Sequence, residues 1–234
     1  VDFVSLQDDL ADYSVVIAPL LFLVSLTLVD NLTNYVAQGG RLLLTMLTGV
    51  KDWTNRVIAG EPPGYGLSIV LGLTIAESDS LRDIAQSVRW ASSPDSDSVS
   101  EGVSQWCDIV RLTTAQPLAT YENDYYRGSP AITRNAFGSG VAYFVGTHLG
   151  PTATRLLVKE MLSDAGLPID QFADADVEVV CRQGESGKYI FLLNHSAKSA
   201  ELSIPISWRR IAGDEVTESS ETALPGYGVA VFQA

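Results

Sequence analysis

The chain has 234 residues, of which 46% are hydrophobic and 18% charged, a composition typical of one large folded domain or two smaller ones. Asp and Glu outnumber Lys and Arg by 28 to 15, and the resulting net charge of −13 argues against nucleic acid or an anionic membrane surface as a partner. Two cysteines, Cys107 and Cys181, are too few for a disulfide framework or a structural zinc cluster, so a reducing, cytoplasmic compartment is expected. Because the chain opens with Val1 rather than Met, we expect it to be a piece of a longer protein.

The first segments predict a β-α-β unit. Residues 15–19 form a continuous apolar run rich in β-branched residues, which is typical of a strand buried on both faces. Ser25 is the predicted N-cap of a helix, and a second buried strand is expected over Arg41–Thr45. The apolar stripe of the helix comprises Leu28, Leu32, Tyr35 and Val36. This alternation predicts a doubly wound α/β domain.

The middle of the chain is less regular. Residues 60–66 are rich in Gly and Pro and predict a loop, whereas the Ser- and Asp-rich residues 91–105 predict an exposed excursion. An amphipathic helix is expected over residues 152–165, with Gly166 as its stop. The strands expected between them, the last two forming a hairpin, are residues 107–112, 117–121, 131–135 and 141–145.

The pattern changes after Pro168, where short strands and polar turns replace the helical periodicity. About 60 residues is near the lower limit for an independent core, so this part is expected to lean on a neighbour. The sequence therefore predicts an α/β domain over residues 1–168 and a small antiparallel β domain over residues 175–234. The strands expected in the small domain are residues 177–182, 189–193, 202–206 and 229–232.

The turn after the second buried strand is the first place to look for a nucleophile, because open α/β sheets bind ligands at the carboxyl ends of their strands. No cysteine or serine lies there, and the hydroxyl groups of Thr45 and Thr48 are poor nucleophiles without activation. His148 follows the strand expected at 141–145 and is the candidate base of an amidotransferase-like hydrolase. Without an opposed nucleophile, a structural role for His148 at a strand end is favoured.

The remaining candidates for metal, phosphate or thiol chemistry favour structural roles. A two-histidine metal site would need His195 and His148 to bridge the two domains, and Asp95 with Asp97 offers too few oxygens for a calcium loop. The stretch 138–140, Gly-Ser-Gly, is a turn rather than a phosphate loop. Both cysteines are expected to be small buried hydrophobes. The sequence therefore predicts no metal and no cofactor.

A cluster of carboxylates and tyrosines raises the question of sugar chemistry. A glycosidase needs two carboxylates across one bond, and Glu122 and Asp124 are close in sequence. Nothing in the pattern brings two carboxyl groups to opposed strand ends, so no catalytic residue is predicted. An alternative function is a carbohydrate-binding module, whose aromatic residues would be Tyr121, Tyr125, Tyr126 and Trp106.

A series of short segments carries a more specific signal through its order. The segments are residues 1–4 (VDFV), 13–20 (YSVVIAPL), 35–42 (YVAQGGRL), 106–108 (WCD), 119–121 (ATY), 130–135 (PAITRN), 138–140 (GSG), 192–196 (LLNHS) and 225–231 (PGYGVAV). This order resembles the region that follows the catalytic barrel in β-galactosidases of glycoside hydrolase family 42. In that family a (β/α)₈ barrel precedes an α/β trimerisation domain, itself similar to class I glutamine amidotransferases (flavodoxin-like), and a small β domain.

The resemblance implies that this chain corresponds to the second and third parts, so that no residue here takes the role of the family's catalytic glutamates. It implies a non-catalytic oligomerisation and accessory segment that forms a homotrimer and has the catalytic barrel of the parent chain as a partner. It also implies an amidotransferase-like layout without the nucleophile. The apolar residues 20–24 are candidates for a self-association face, or for packing under the helix at 29–35.

Overall fold

The computed structural model describes residues 2–5, 7–90, 99–167, 177–214 and 222–234. The chain divides into two compact units, Val1–Leu167 and Pro168–Ala234. The first unit is mixed α/β with an eight-stranded sheet, and the second is a small antiparallel β unit, which confirms the coarse fold class expected from the sequence. Within the described ranges, no helix has the length and apolar character needed to cross a membrane.

The described part of the first unit contains ten strands and three helices. The strands are β1 (Val15–Ala18), β2 (Leu23–Val24), β3 (Arg41–Thr45), β4 (Lys51–Asp52), β5 (Leu73–Trp90), β6 (Ser100–Leu112), β7 (Gln116–Tyr121), β8 (Pro130–Phe137), β9 (Gly140–Val145) and β10 (Thr147–His148). The helices are α1 (Leu26–Ala37), α2 (Leu67–Leu71) and α3 (Pro151–Asp164).

The predicted β-α-β unit is confirmed, since β1 and β3 are parallel neighbours joined through α1. Ser25 is the N-cap, and its hydroxyl oxygen accepts a hydrogen bond from the Leu28 N–H at 3.2 Å. β9 lies parallel to β3 on its other side. Every other neighbouring pair in the large sheet is antiparallel, so the parallel part comprises three strands.

The large sheet has the strand order β1-β3-β9-β8-β7-β5-β6-β10. β10 follows β9 in the chain after a single residue, Gly146, and pairs with β6. The last strand in the order is therefore joined directly to the third strand, β9. The strands from β9 to β6 therefore curve back on themselves. This curvature brings residues of β6 close to the turn that follows β3, where Asp108 meets Leu47.

Side chains that alternate along β3 supply two separate cores, because successive residues of a strand face opposite sides of a sheet. Leu42 and Leu44 belong to a cluster with α1 and α2. Leu43 belongs to a second cluster, which contains Leu157 and Met161 of α3. Helices thus cover both faces of the parallel strands.

Residues 100–105 correct an expectation from the sequence. They belong to β6 rather than to an exposed excursion, while residues 91–98 lie outside the described part of the chain. Glu101 of β6 accepts hydrogen bonds from the N–H groups of Thr152 and Ala153, at 3.0 and 2.7 Å, and so caps α3 in place of a local side chain. Burial alone would raise the pKa of Glu101, but these donors outweigh it and lower the pKa.

Over its described residues, the second unit is built from two small sheets. Its strands are β11 (Val177–Gly184), β12 (Gly187–Asn194), β13 (Ala200–Leu202), β14 (Arg209–Gly213), β15 (Thr222–Leu224) and β16 (Val229–Gln233). One sheet has the order β11-β12-β16-β14, and β13 pairs with β15 in the other. The strand expected over 202–206 is wrong beyond Leu202, where β13 ends. The core lies between the sheets and includes Ile190, Leu192 and Phe232.

Candidate functional site

The turn after β3 is where the sequence suggested looking for a nucleophile, and its hydroxyl groups serve the fold. The hydroxyl oxygen of Thr45 accepts a hydrogen bond from the Leu20 N–H at 2.8 Å. The buried Thr48 hydroxyl donates to the Thr45 carbonyl oxygen at 2.6 Å. Between them, Leu47 has a φ of +64°, a left-handed conformation that costs a non-glycine residue about 1 kcal/mol.

Asp108 of β6 is a buried carboxylate beside this turn, and sequence reasoning did not single it out. Its Oδ1 accepts hydrogen bonds from the Ser78 hydroxyl at 2.6 Å and the Trp106 Nε1–H at 2.7 Å. Its Oδ2 accepts from the Leu47 N–H at 3.3 Å. Burial raises the pKa of Asp108, and these three donors partly offset it. The carboxylate therefore ties three segments together.

His148 lies on β10 with its side chain exposed. Its Nδ1 is 3.2 Å from the Ser104 hydroxyl oxygen, which is within hydrogen-bond reach. Over the described ranges, no residue hydrogen-bonds the ring Nε2, so the third group that would orient a catalytic base is missing there. This arrangement agrees with a structural role for His148.

Glu122 is fully engaged by neighbours on two strands. Its Oε1 accepts from the Arg89 Nε–H at 2.7 Å, and its Oε2 accepts from the Ser87 hydroxyl at 2.8 Å and from the Ser100 hydroxyl. The serine hydroxyls, with Arg89, lower the pKa of Glu122. A general acid needs a raised pKa, so this environment disfavours Glu122 in that role. Asp124 accepts a hydrogen bond from the Tyr125 N–H at 2.6 Å.

The aromatic platform suggested for sugar binding is not assembled. Tyr121 and Tyr126 are buried, and their hydroxyls donate to Gly146 O at 3.1 Å and to Asp79 Oδ2 at 3.0 Å. Trp106 is half-buried and donates to Asp108. Of the four aromatic residues in that hypothesis, only Tyr125 is widely exposed, at 67%. One exposed ring gives little support to a carbohydrate-binding module.

The expected cysteine burial holds at one of the two positions. Cys107 is buried, its Sγ lies 3.7 Å from the Thr147 hydroxyl, and burial raises the pKa of its thiol. Cys181, expected to be buried, is instead exposed on β11, where the residues from Cys181 to Gly184 are all exposed.

His195 is in the second unit, and its Nε2 is 2.7 Å from Glu178 Oε2. Asp95 and Asp97 lie outside the described residues. Within the described ranges, no three His, Cys, Asp or Glu side chains are placed to hold a metal ion.

A group of exposed apolar side chains lies on the segments next to the β3 turn. We call it the Trp53 patch and define it by the side chains of Leu20, Leu26, Trp53 and Val57, which are 51%, 61%, 68% and 73% exposed. β2 pairs with β4, and Val57 bridges to Lys51 of β4, so these side chains lie on three adjacent segments. Of the apolar residues 20–24, Leu21 and Val24 are buried in the core with α1, whereas Leu20 is exposed.

The loop that carries Trp53 is held by its own hydrogen bonds. Asp52 Oδ1 accepts from the N–H groups of Thr54 and Arg56, at 2.8 and 3.0 Å. The Asp52 N–H donates to the Arg56 carbonyl oxygen at 2.8 Å. The Arg56 N–H, with further help from Thr54, lowers the pKa of the Asp52 carboxyl. Trp53 is therefore presented on an ordered loop, although no sequence motif marked it.

Known proteins match this chain along its whole length. Residues 1–168 match the family model described as a β-galactosidase trimerisation domain, and residues 176–234 match the one described as a β-galactosidase C-terminal domain. A β-galactosidase from Geobacillus sp. is 33% identical over 236 residues, covering 100% of this chain and 34% of that protein. One from Clostridium cellulovorans is 29% identical, with 99% and 34% covered.

Solved structures give the same result. A β-galactosidase from Bacillus circulans sp. alkalophilus has a TM-score of 0.83 and 28% identity, covering 100% of this chain and 35% of that one. The enzyme from Rahnella sp. R3 has a TM-score of 0.85 and 28% identity, with 99% and 34% covered. The chain thus spans about a third of the length of the relatives that it matches.

Proposed function

This chain belongs to glycoside hydrolase family 42 as the C-terminal part of a β-galactosidase, and we propose that it holds subunits of such an enzyme together without performing chemistry itself. The catalytic work on terminal β-D-galactosides is then carried out by a barrel domain of the parent protein. The assembly that we propose is a homotrimer, in keeping with the description of the family model that matches residues 1–168.

The observation that carries this proposal is the Trp53 patch. Exposed large apolar side chains that are grouped on neighbouring segments often mark an interaction site. The patch lies on an ordered loop and its neighbours, within the residues matched by the trimerisation-domain model. The candidate catalytic groups, in contrast, are engaged in structural hydrogen bonds.

The finer domain assignment belongs to the same proposal. We assign residues 1–168 to an amidotransferase-like domain without the nucleophile and residues 175–234 to a small accessory β domain. The left-handed φ of Leu47 just after β3 is one feature in common with hydrolases that carry the nucleophile on a strained turn after a strand, although here β4 follows the turn and not a helix. Both cysteines are free, which suits the cytoplasm.

We expect the chain to self-associate, and the association to strengthen as salt rises from low ionic strength. A net charge of −13 makes copies repel one another, and salt screens this repulsion over a Debye length of about 8 to 10 Å at 0.1 to 0.15 M. Sedimentation velocity over a concentration series at two salt concentrations measures this. A strict monomer at high concentration and moderate salt would contradict the proposed function.

We expect the pure chain to be inactive on a chromogenic β-galactoside. Retaining glycosidases need two carboxyl groups about 5 to 5.5 Å apart, and Glu122 is held by Arg89, Ser87 and Ser100 instead. The release of chromophore is compared with a buffer blank and with the Glu122→Gln and Asp124→Asn variants. Turnover that either substitution abolishes would refute the non-catalytic assignment.

A further inference from the structure

We infer that a polar cleft between α1 and the residues before β1 binds a neutral sugar of the galactoside class. We call it the α1 cleft; its volume is about 350 Å³, and residues 9–14 and the second half of α1 form most of its lining. It includes Arg41, the first residue of β3, so it is at the end of that strand opposite the β3 turn. The choice of sugar rests on the proposed function, which assigns terminal β-D-galactosides to the parent enzyme, whereas the cleft itself does not.

One part of the lining is a row of side-chain carboxamides. Asn31, Asn34 and Gln38 all line the cleft, and their spacing of three and four residues places them along one face of α1 and its C-cap. Asn34 and Gln38 are exposed, and neither side chain has a hydrogen-bond partner among the described residues. A carboxamide carries both a donor and an acceptor, so each of these two groups can bind a hydroxyl group in either sense.

A second part of the lining is the segment that precedes β1, which contributes the carboxylates of Asp9 and Asp12. Leu10 of this segment is buried in the core that contains the apolar face of α1. The Asn31 Nδ2–H donates to the Asp8 carbonyl oxygen at 3.2 Å, which ties the segment to the helix. The cleft is therefore held in place before a ligand arrives, which lowers the entropic cost of binding.

Tyr35, Gly40 and Arg41 also line the cleft. Tyr35 is buried, and its ring packs so closely on the chain that a Cβ atom at Gly40 would lie less than 3.0 Å from it. The Arg41 guanidinium donates to the carbonyl oxygens of Gly39 and Asp164. Its Nε atom is buried without a hydrogen-bond acceptor in the described part of the chain. A buried donor without an acceptor is rare in folded proteins and agrees with a polar occupant at this place.

The chemistry of this lining favours a neutral ligand rich in hydroxyl groups. The carboxylates of Asp9 and Asp12 repel an anion, and the Arg41 guanidinium opposes an organic cation. Within the described ranges, no third His, Cys, Asp or Glu joins these carboxylates to hold a metal ion. Each hydroxyl group of a sugar both donates and accepts, which carboxylates and carboxamides match. The volume is in the range of small-molecule sites and suits a mono- or disaccharide.

Saturation-transfer difference NMR on the full chain tests the α1 cleft. The probes are D-galactose and methyl β-D-galactoside, and both are expected to bind with a Kd of about 1 mM. Glycine, a small polar solute without hydroxyl groups, is expected to give no signal at the same concentration. Backbone-amide TROSY spectra recorded during the titration are expected to show the largest shifts at residues 38–41.

Two variants remove the carboxamides that have no partner within the described residues. Asn34→Ala and Gln38→Ala are each expected to weaken sugar binding about 5-fold, and the double variant about 20-fold. Gln183→Ala, which removes an exposed carboxamide on β11, is the matched control and is expected to change binding less than twofold. All three side chains are exposed, so the fold is expected to be retained, and far-UV circular dichroism verifies this.

The outcomes separate the sugar site from the proposed function. Sugar binding that is absent in wild type, or that the double variant retains, overturns the inference, as does equally strong binding of glycine. Sedimentation velocity is run on the same samples, and the double variant is expected to self-associate like wild type because the α1 cleft shares no residue with the Trp53 patch. A wild-type chain that binds sugar but stays monomeric would refute the proposed function and leave the sugar site supported.

Discussion

Replacing Gly140 with alanine is expected to lower the free energy of unfolding of the first unit by about 3 kcal/mol or more. A Cβ atom at Gly140 would lie less than 3.0 Å from the carbonyl oxygens of Val36 and Gly40. Both are backbone atoms, one at the end of α1 and the other at the start of β3, so neither can move without separating these elements. The contact between α1, β3 and β9 therefore requires glycine.

Gly102→Ala is the matched control, because a Cβ atom there would lie 3.9 Å from its nearest neighbour, the Gln86 carbonyl oxygen. Gly102 is also within a strand of the same unit, and its substitution is expected to change the free energy of unfolding by less than about 0.5 kcal/mol. Urea titrations followed by circular dichroism measure both variants. Equal stability of the two would show that α1 and β9 are not in close contact.

The sequence predicted the elements whose local pattern agrees with their burial. The apolar runs of β1 and β3 and the cap at Ser25 predicted the β-α-β unit, and the Gly-Ser-Gly turn predicted the hairpin of β8 and β9. In each case the signal is local, because strand burial, capping and turns depend on neighbouring residues. The order of short motifs predicted the family for a different reason, since it reflects descent and not physical chemistry.

Elements stabilised by distant partners were not predicted. β5 has exposed polar residues at Glu77, Ser78 and Ser80 and register shifts after Ile75 and Leu81, so it lacks a clean alternation. It is nevertheless paired with β6 along most of its length. The opposite error occurred after Leu202, where a strand was expected up to Ile206 but β13 ends. Ile204 and Ile206 are apolar, but Pro205 has no N–H to donate to a neighbouring strand and Ile206 is fully exposed.

Asp108 and the Trp53 patch could not be found from the sequence for the same reason. Asp108 is in the interior of a predicted strand, and its three donors are Leu47, Ser78 and Trp106, which only the folded chain brings together. The apolar residues 20–24 drew attention to part of the Trp53 patch, but the pairing of β2 with β4 that brings Trp53 beside them is a tertiary fact. Sequence patterns thus indicate which residues are buried, but they do not show which distant residues come together in the folded chain.

Replacing Asp108 with alanine is expected to lower the free energy of unfolding by about 3 kcal/mol, because it leaves the Trp106 N–H and Leu47 N–H groups without their acceptor. Asp30→Ala, at an exposed carboxylate on α1, is the control and is expected to cost less than about 0.5 kcal/mol. Asp108→Asn keeps the volume and one acceptor oxygen, so its cost is expected to lie between the two. Urea unfolding of the three variants measures this order.

The pH dependence of the same variants identifies the buried carboxyl. Because burial raises the pKa of Asp108 in the folded chain above the usual 3.8, the folded state binds its proton more tightly than the unfolded state. Binding of this proton stabilises the folded state fully at a pH below the pKa of Asp108 in the unfolded chain. This contribution is lost as pH rises through the pKa of Asp108 in the folded chain. The advantage of wild type over Asp108→Asn is therefore expected to shrink as pH rises across that window, and an advantage that grows would contradict the raised pKa.

The consequence of Asp108 for assembly follows from the position of the turn that it holds. Asp108 fixes Leu47 at the end of β3, and in the same turn Thr45 holds the Leu20 N–H while the Gly49 N–H donates to the Leu21 carbonyl oxygen at 2.8 Å. Leu20 belongs to the Trp53 patch, so loosening the turn disturbs the surface proposed for self-association. Asp108→Asn is expected to weaken self-association about 5-fold or more at a pH and temperature where the variant is still folded, whereas Asp30→Ala leaves it unchanged. Sedimentation velocity on the two variants decides this, and undiminished association of Asp108→Asn would separate the buried carboxylate from the patch.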